Sequence, residues 1–249
     1  GTITNLTTNM YIESGDTDRA IESLNNSSSN TDDVAVKETN TTKIITLKLQ
    51  KKDYKDIEKY IAELPIEEER TYYSAQYYAA KKDPKAVKEY ETLLQYDKYK
   101  AYASKGLGDY YFDKKDLSKA KKYYGTYATV NKNPDEYILY RLGQANEKEN
   151  NLKMALTDYK AVYSKNGKLA NDAMLKAAEI YDKQENVAEA EKLFTKLYAV
   201  KNNKELKAYS MEKLIYYKLV KNNTKEAKKL YDELRKLDAK RAEKFKAYF

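Results

Sequence analysis

The stretch that decides the fold is residues 107–124, Leu-Gly-Asp-Tyr-Tyr-Phe-Asp-Lys-Lys-Asp-Leu-Ser-Lys-Ala-Lys-Lys-Tyr-Tyr. Its second half places Ala120 four residues before Tyr124, and residues at i and i+4 lie on one face of a helix. Its first half places Gly108 three residues before Tyr111, and a polar Lys-Asp pair separates the two halves. The pattern predicts two helices, A and B, joined by a short turn.

The same pattern recurs about every 35 residues along the chain. A small residue followed four positions later by an aromatic occurs at Ala86/Tyr90, Ala120/Tyr124, Ala155/Tyr159, Ala190/Phe194 and Ala227/Tyr231, so the alanines are 34, 35, 35 and 37 residues apart. Weaker copies begin at Ala20 and Ile57. A third apolar residue continues the stripe at i+7: Leu64, Leu93, Tyr127, Val162, Leu197 and Leu234. A fixed period of this length predicts a solenoid of similar helical hairpins.

Helix A carries its own small residue, twelve positions before the alanine of helix B. The residues are Ser74, Gly108, Gly143 and Ala178. Glycine inside a helix costs about 1 kcal/mol relative to alanine, so it needs a packing reason. We therefore expect Gly108, Gly143 and Ala178 to mark the close A–B crossings, with Ala120, Ala155 and Ala190 on the B side.

These residues resemble the tetratricopeptide repeat. The resemblance rests on Leu107-Gly108, Tyr111, Leu117, Ala120 and Tyr124, and on the two following copies: Leu142-Gly143, Leu152, Ala155, Tyr159 and Ala178, Tyr181, Val187, Ala190, Phe194. It implies a right-handed superhelix of antiparallel helix pairs whose A helices line the binding face. It does not name a ligand, because one fold hosts many functions.

The predicted fold class is therefore all-α, with 13 to 15 helices in six to seven repeats. Residues 1–43 are expected to form a degenerate repeat and a Ser/Thr/Asn-rich segment, because 13 of the 19 residues from Asn25 to Lys43 are Ser, Thr, Asn or Asp and such stretches favour loops and frayed helix ends. Residues 44–234 are expected to hold the helical repeats. Residues 235–249, with six basic and two acidic residues, are expected to form a basic capping helix.

Composition argues against catalysis. The chain has no cysteine and no histidine, so it lacks a thiol nucleophile, the usual general base and the commonest metal ligand. No Gly-rich phosphate loop is present, and most carboxylates sit at helix-surface spacing from lysines. We expect no enzyme activity, no catalytic residues, no cofactor and no metal.

The remaining interpretation is a scaffold that binds a protein or peptide through the A helices of repeats three to six. Residues at fixed offsets from the small residue of helix A should line that face. The predicted partner-binding residues are Tyr102, Lys105, Asp109, Tyr137, Tyr140, Arg141, Gln144, Lys176 and Glu179. Tyr and Arg are enriched in binding hot spots. Asp109 and Glu179 argue against a clamp for a terminal carboxylate, because an acid repels one.

Two other partners are compatible with the sequence. Helical hairpins of about 35 residues also occur in proteins that read one RNA base per repeat, and the net charge of +8 suits phosphate contacts, but no recurring base-reading residue is visible in helix A. The basic C-terminal residues also allow peripheral contact with acidic lipid head groups. The sequence does not indicate an oligomeric state.

The bias toward Lys, Asn, Tyr and Ile is typical of an A+T-rich bacterial genome. Together with the resemblance and the absence of cysteine, it favours an exported bacterial protein, periplasmic or associated with the outer membrane, with a role in envelope assembly or secretion. A cytoplasmic regulatory domain of the same repeat type is the alternative.

Overall fold

The computed structural model describes residues 2–249, with side chains from residue 5 onward. This part of the chain contains α-helices, a terminal 3-10 helix and no strand. The helices are α1 (Thr2–Glu13), α2 (Thr17–Ser29), α3 (Val34–Lys51), α4 (Ile57–Ala62), α5 (Glu67–Ala80), α6 (Lys85–Leu93), α7 (Asp97–Asp113), α8 (Leu117–Val130), α9 (Glu136–Lys148), α10 (Leu152–Tyr163), α11 (Ala170–Lys183), α12 (Val187–Tyr198), α13 (Lys204–Val220), α14 (Thr224–Leu237) and α15 (Ala239–Ala242), followed by a 3-10 helix, Glu243–Tyr248. The prediction of an all-helical repeat fold is confirmed.

The helices pair in sequence as hairpins, each odd-numbered helix packing on the even-numbered helix that follows it. They belong to two compact units, residues 1–131 and residues 132–249. The described part of the first unit holds four hairpins, α1/α2 to α7/α8. The second holds three, α9/α10 to α13/α14, and ends with α15 and the 3-10 helix. These seven hairpins match the predicted number of repeats.

The turn between helices A and B has a recurring geometry. A residue in the left-handed region ends helix A, with φ of 63° at Lys115, 59° at Asn150 and 57° at Glu185. The next residue caps helix B in most hairpins, as where Asp116 accepts the backbone N–H of Lys119 at 3.2 Å. Such a cap satisfies one of the N–H groups that the first turn of a helix leaves unpaired. The polar residues seen before each stripe are therefore turn and cap residues.

The stripe on helix B is the core of each hairpin. Ala120, Ala155 and Ala190 are fully buried, as are Tyr124, Tyr159 and Phe194 one helical turn later. The predicted i+7 residues are buried as well. Full burial of an aromatic ring of this size makes one of the largest hydrophobic contributions in a fold.

The glycines of helix A lie directly against these rings. A Cβ atom added to Gly108 would lie 2.4 Å from Cδ1 of Tyr124, and one added to Gly143 would lie 2.8 Å from Cε1 of Tyr159. Neither distance is compatible with an ordinary contact. The A–B crossings therefore lie where the sequence predicts them.

The two ends of the chain differ in detail from the expectation. The composition of Asn25–Lys43 predicts loops and frayed helix ends, but α2 continues to Ser29 and α3 begins at Val34, so only residues 30–33 lie outside helices. Asp33 caps α3 by accepting the backbone N–H of Ala35 at 2.9 Å, and Asn40 is buried and donates to the hydroxyl of Ser28 at 3.1 Å. These polar side chains thus cap the helices or form hydrogen bonds between them.

The C-terminal segment is not the single capping helix predicted for residues 235–249. Helix α14 ends at Leu237, and Asp238 starts a separate short helix by accepting the backbone N–H of Arg241 at 3.0 Å. Buried Ala242 and Phe245 pack this segment against α13 and α14. Among the described residues, no helix is long and apolar enough to span a membrane.

Candidate functional site: the surface of the A helices

The predicted partner-binding residues lie on three A helices. Tyr102, Lys105 and Asp109 are on α7 in the first unit, whereas Tyr137, Tyr140, Arg141 and Gln144 on α9 and Lys176 and Glu179 on α11 are in the second. Each unit therefore presents its own part of the candidate surface.

Tyr102 is a packing residue. Its ring centroid lies 4.8 Å from that of Tyr72 on α5 and 5.6 Å from that of Tyr90 on α6. Tyr102 is half-buried, and this burial raises the pKa of its hydroxyl. Tyr102 thus joins three helices of the first unit, and we do not retain it as an anchor for a partner.

Asp109 is also engaged within the first unit. Its Oδ1 accepts a hydrogen bond from the hydroxyl of Tyr124 at 2.7 Å. The bond satisfies the polar end of a tyrosine whose ring is fully buried. Lys105, one helical turn earlier, is half-buried.

The second unit places a cation–aromatic pair on the first two turns of α9. The guanidinium carbon of Arg141 lies 4.7 Å from the ring centroid of Tyr137, and Tyr137 is 37% exposed. Asp135 caps this helix by accepting the backbone N–H of Tyr137 at 2.8 Å. The cap fixes the backbone of Tyr137, and the nearby guanidinium restricts its ring before any partner arrives, which lowers the entropic cost of binding.

Other predicted residues of the second unit connect neighbouring helices. The ring of Tyr140 packs on that of Tyr159 at 5.6 Å, and burial raises the pKa of the Tyr140 hydroxyl. Lys176 Nζ lies 3.7 Å from Glu147 Oε1 on the preceding A helix. Glu179 Oε1 accepts from the hydroxyl of Tyr209 on the next A helix at 3.3 Å. Gln144 on α9 is half-buried.

Two ion pairs of this surface share one arrangement, in which a lysine on the later A helix pairs with an acid on the earlier one. Lys176, two positions before the small residue of α11, reaches back to Glu147 on α9. Lys213 holds the same repeat position on α13, and its Nζ lies 2.6 Å from Asp182 Oδ2 on α11. On α11 and α13 this position serves the junction between consecutive A helices, whereas Arg141, at the same position on α9, lies over the ring of Tyr137.

Sequence reasoning missed an exposed apolar pair on α13. Tyr216 is 56% exposed and Val220 is 57% exposed. Counting twelve positions back from Ala227 gives Ile215, so Tyr216 occupies the offset held by Asp109, Gln144 and Glu179. The repeat offset carries this signal, but Ile215 is not a small residue, so the pattern of Gly or Ala in helix A does not extend to α13. Within the described residues, no group of three or more acidic side chains is arranged to hold a metal ion.

Comparison with known proteins identifies the repeat. Residues 140–204 match the family model of the tetratricopeptide repeat. None of the curated proteins matches the sequence. The chain resembles the C-terminal part of a tetratricopeptide-repeat protein from Cytophaga hutchinsonii, at a TM-score of 0.71 and 16% identity over 95% of this chain and 96% of that one.

Two further solved structures are similar. One is a tetratricopeptide repeat protein from Parabacteroides merdae, with a TM-score of 0.56 and 14% identity over 95% of this chain and 93% of that one. The other is pilF of Pseudomonas aeruginosa, with a TM-score of 0.52 and 15% identity over 85% and 97%. Identities this low establish the fold alone.

Proposed function

We propose that this chain, which has the tetratricopeptide repeat fold, is a non-catalytic scaffold that binds a protein or peptide through the surface of its A helices. The observation that carries the proposal is the Tyr137–Arg141 pair on α9, an exposed ring with a cation 4.7 Å from its centroid. Aromatic and arginine side chains of this kind supply most of the energy at protein interfaces. Tyr140, Lys176 and Glu179 instead contact residues of α10, α9 and α13.

The setting is the second part of the proposal. We infer an exported bacterial protein of the cell envelope, where a scaffold of this kind would act in assembly or secretion. The support is compositional: a cysteine-free chain rich in Lys, Asn and Tyr. Fractionation of the native cells with an antibody against this chain tests the inference, and recovery in the cytosolic fraction would assign the cytoplasmic alternative.

The binding proposal is tested by affinity capture from envelope and cytosolic extracts, each run with and without nuclease. The variant is Tyr137→Ala with Arg141→Ala. Its matched control is Tyr248→Ala with Lys246→Ala, which removes an exposed ring and a cation from the C-terminal segment instead. The expected result is loss of defined proteins from the α9 variant only, at a cost of about 2 kcal/mol or more per hot-spot residue.

The circular dichroism and melting temperature of both variants should stay close to those of the parent. Capture that needs intact RNA would point to a nucleic-acid-binding protein. Equal capture by the α9 variant and the parent would remove the proposed site.

A further inference from the structure

The second unit contains a pocket of about 420 Å³ between helix α10 and the C-terminal end of helix α11. A volume of this size is within the range of about 300–1,000 Å³ that is usual for ligand pockets. The walls consist of two lysines, one leucine and three uncharged polar residues: Lys153, Leu156, Thr157, Lys160, Tyr181 and Gln184. No acidic residue lines the pocket, so its walls carry a net positive charge.

The two lysines lie on one face of α10. Lys153 and Lys160 are seven residues apart, which is about two helical turns and 10 Å along the axis, and Leu156 and Thr157 lie in the turn between them. Both lysines are exposed, and neither forms an ion pair or a side-chain hydrogen bond with the described residues of the chain. Because lysine side chains are long and flexible, both ammonium groups can reach a ligand held over Leu156.

Helix α11 contributes uncharged donors to the same pocket. The hydroxyl of Tyr181 and the side-chain amide of Gln184 form no hydrogen bond with other described side chains, and they can donate one and two hydrogen bonds respectively. Leu156 and the ring of Tyr181 are half-buried against the core of the second unit. The pocket therefore combines positive charge, uncharged donors and some apolar surface.

The equivalent junction of the next repeat, between α12 and α13, holds an anion that belongs to the chain. Glu191 on α12 occupies the repeat position that Leu156 occupies on α10, one after the small residue. Lys218 Nζ on α13 lies 2.7 Å from Glu191 Oε1, and Lys221 pairs with the other carboxylate oxygen. Burial opposes ionisation of Glu191, but the two lysines lower the pKa of its carboxyl. Two cations thus hold one anion at this place in the repeat.

The α10–α11 junction has two cations but no anion of its own. Leu156 stands where the acid would be, and Tyr181 and Gln184 hold the repeat positions of its two lysine partners. The lysines come from α10 instead, and no acid in the pocket walls neutralises them. An anion bound from solution would therefore take the place that Glu191 takes in the next repeat.

We propose that this pocket binds a phosphate monoester. Such a group carries a charge of about −1.5 to −2 at pH 7 and three strong acceptor oxygens, which matches two ammonium groups together with the donors of Tyr181 and Gln184. A carboxylate has one charge and two oxygens and would use fewer of these donors. The apolar surface suits the organic part of the ester. The inference does not depend on the Tyr137–Arg141 pair or on a protein partner.

The probe is phenyl phosphate, titrated into the ¹⁵N-labelled full chain in about 0.1 M NaCl, which screens distant charges. Saturable shifts are expected at the backbone amides of Leu156, Thr157, Tyr181 and Gln184. Phenyl sulfate has nearly the same shape with a single charge, and it should bind about tenfold more weakly because fewer charge-assisted hydrogen bonds form. Equal binding of the two compounds, or shifts elsewhere only, would overturn the proposal.

Removal of the two lysines supplies the second arm. Lys153→Gln with Lys160→Gln should weaken binding of phenyl phosphate about tenfold or more. The matched control is Lys225→Gln with Lys236→Gln, which makes the same change of net charge at exposed positions of α14 and should leave binding unchanged. Circular dichroism checks that both proteins fold, and Lys160→Gln alone replaces the first variant if it does not. Unchanged binding by the α10 variant would refute the assignment.

Sedimentation with vesicles distinguishes two sources of the phosphate group. Vesicles of phosphatidylcholine with phosphatidic acid present the same monoester as a lipid head group, whereas phenyl phosphate stands for a soluble ester. Sedimentation of the parent that the Lys153/Lys160 variant loses would assign the pocket to the lipid. Saturable binding of phenyl phosphate without sedimentation would assign it to a soluble ester, and failure of both probes would remove the site.

Discussion

Asp158 and Asn146 form a buried hydrogen-bonded pair between α9 and α10. Asp158 Oδ2 accepts from Asn146 Nδ2 at 2.8 Å, and the two residues are 6% and 4% exposed. In the α7/α8 hairpin the same two repeat positions hold Tyr111 and Tyr123, whose rings stack at 5.7 Å. The α9/α10 hairpin thus has a hydrogen bond between an amide and a carboxyl where the α7/α8 hairpin has a contact between two aromatic rings.

The pair makes the stability of the second unit depend on pH. Burial raises the pKa of the Asp158 carboxyl from 3.8 to about 6, although the hydrogen bond from Asn146 opposes the shift. A group whose pKa is higher in the folded state gives its full stabilisation below the unfolded value and loses it as pH rises. Stability from Asp158 should therefore fall between about pH 4 and pH 6 and stay low above it.

Asp158→Asn removes the titration while keeping the shape. At pH 7 the variant should be more stable than the parent by about 3 kcal/mol, since one pKa unit corresponds to about 1.4 kcal/mol and the pKa is raised from 3.8 to about 6, and the difference should shrink toward pH 4. Urea unfolding at pH 4.5 and pH 7 measures this. A gap between the two proteins that does not change with pH would contradict it.

Gly143 and Gly125 should respond in opposite directions to the same substitution. Gly143→Ala should destabilise, because the new Cβ would lie 2.8 Å from the ring of Tyr159, and Gly143→Leu should cost about 1–3 kcal/mol or more. Nothing lies within 4 Å of a Cβ at Gly125 on α8, so Gly125→Ala should stabilise by about 0.5–1 kcal/mol. Melting temperatures decide this, and a rise for both alanine variants would show that the crossing tolerates a methyl group.

Glu185 occupies a backbone conformation that suits glycine or asparagine. Its φ is 57°, and the equivalent residues of the flanking hairpins are Asn150 at 59° and Asn222 at 56°. A left-handed residue with a side chain costs about 1–2 kcal/mol. Glu185→Gly should therefore raise the free energy of unfolding by up to about 1 kcal/mol, and Glu185→Asn should raise it by less. Asn150→Ala should lower it. Chemical denaturation provides the measurement, and a drop in stability for both Glu185 variants would argue against a strained turn.

Arg241 fastens the C-terminal segment to α13. Its Nη1 lies 2.9 Å from Glu212 Oε2, it also pairs with Glu205 and Asp238, and its guanidinium carbon lies 5.7 Å from the Tyr209 ring centroid. Arg241→Ala should cost about 1–2 kcal/mol and speed hydrogen exchange in residues 238–249. Lys246→Ala, whose partner Glu243 is exposed, should change little. Exchange that speeds equally in α9 would show that the effect is not local.

The sequence predicts the hairpins well because the residues that define each hairpin lie close together in the chain, within one repeat. The stripe on helix B, the crossings at Gly108 and Gly143 and the polar turns all follow from spacing within one repeat. The ends were predicted less well. Composition alone predicts loops and frayed helix ends at residues 25–43, whereas most of these residues lie in α2 and α3, where Asp33 caps α3 and Asn40 is buried.

The candidate surface was harder to predict, because each side chain there can turn to a partner or to the next hairpin. Lys176 and Glu179 are placed by offset as groove residues, yet they contact Glu147 and Tyr209 on neighbouring A helices. Such choices depend on the register between repeats, which no spacing within a repeat reveals. The partner-binding roles of Tyr137 and Arg141 remain predictions.

The buried tyrosines provide an absorbance signal that reports unfolding at high pH. The chain has 27 tyrosines and no tryptophan, and burial and carboxylate neighbours raise the pKa values of several of them, that of Tyr209 to about 12. Hydroxyls such as that of Tyr159, bonded to Glu147 at 2.7 Å, resist ionisation while the helices stay packed. In an alkaline titration, the phenolate absorbance of these rings should therefore lag behind that of exposed tyrosines and appear as the fold is lost.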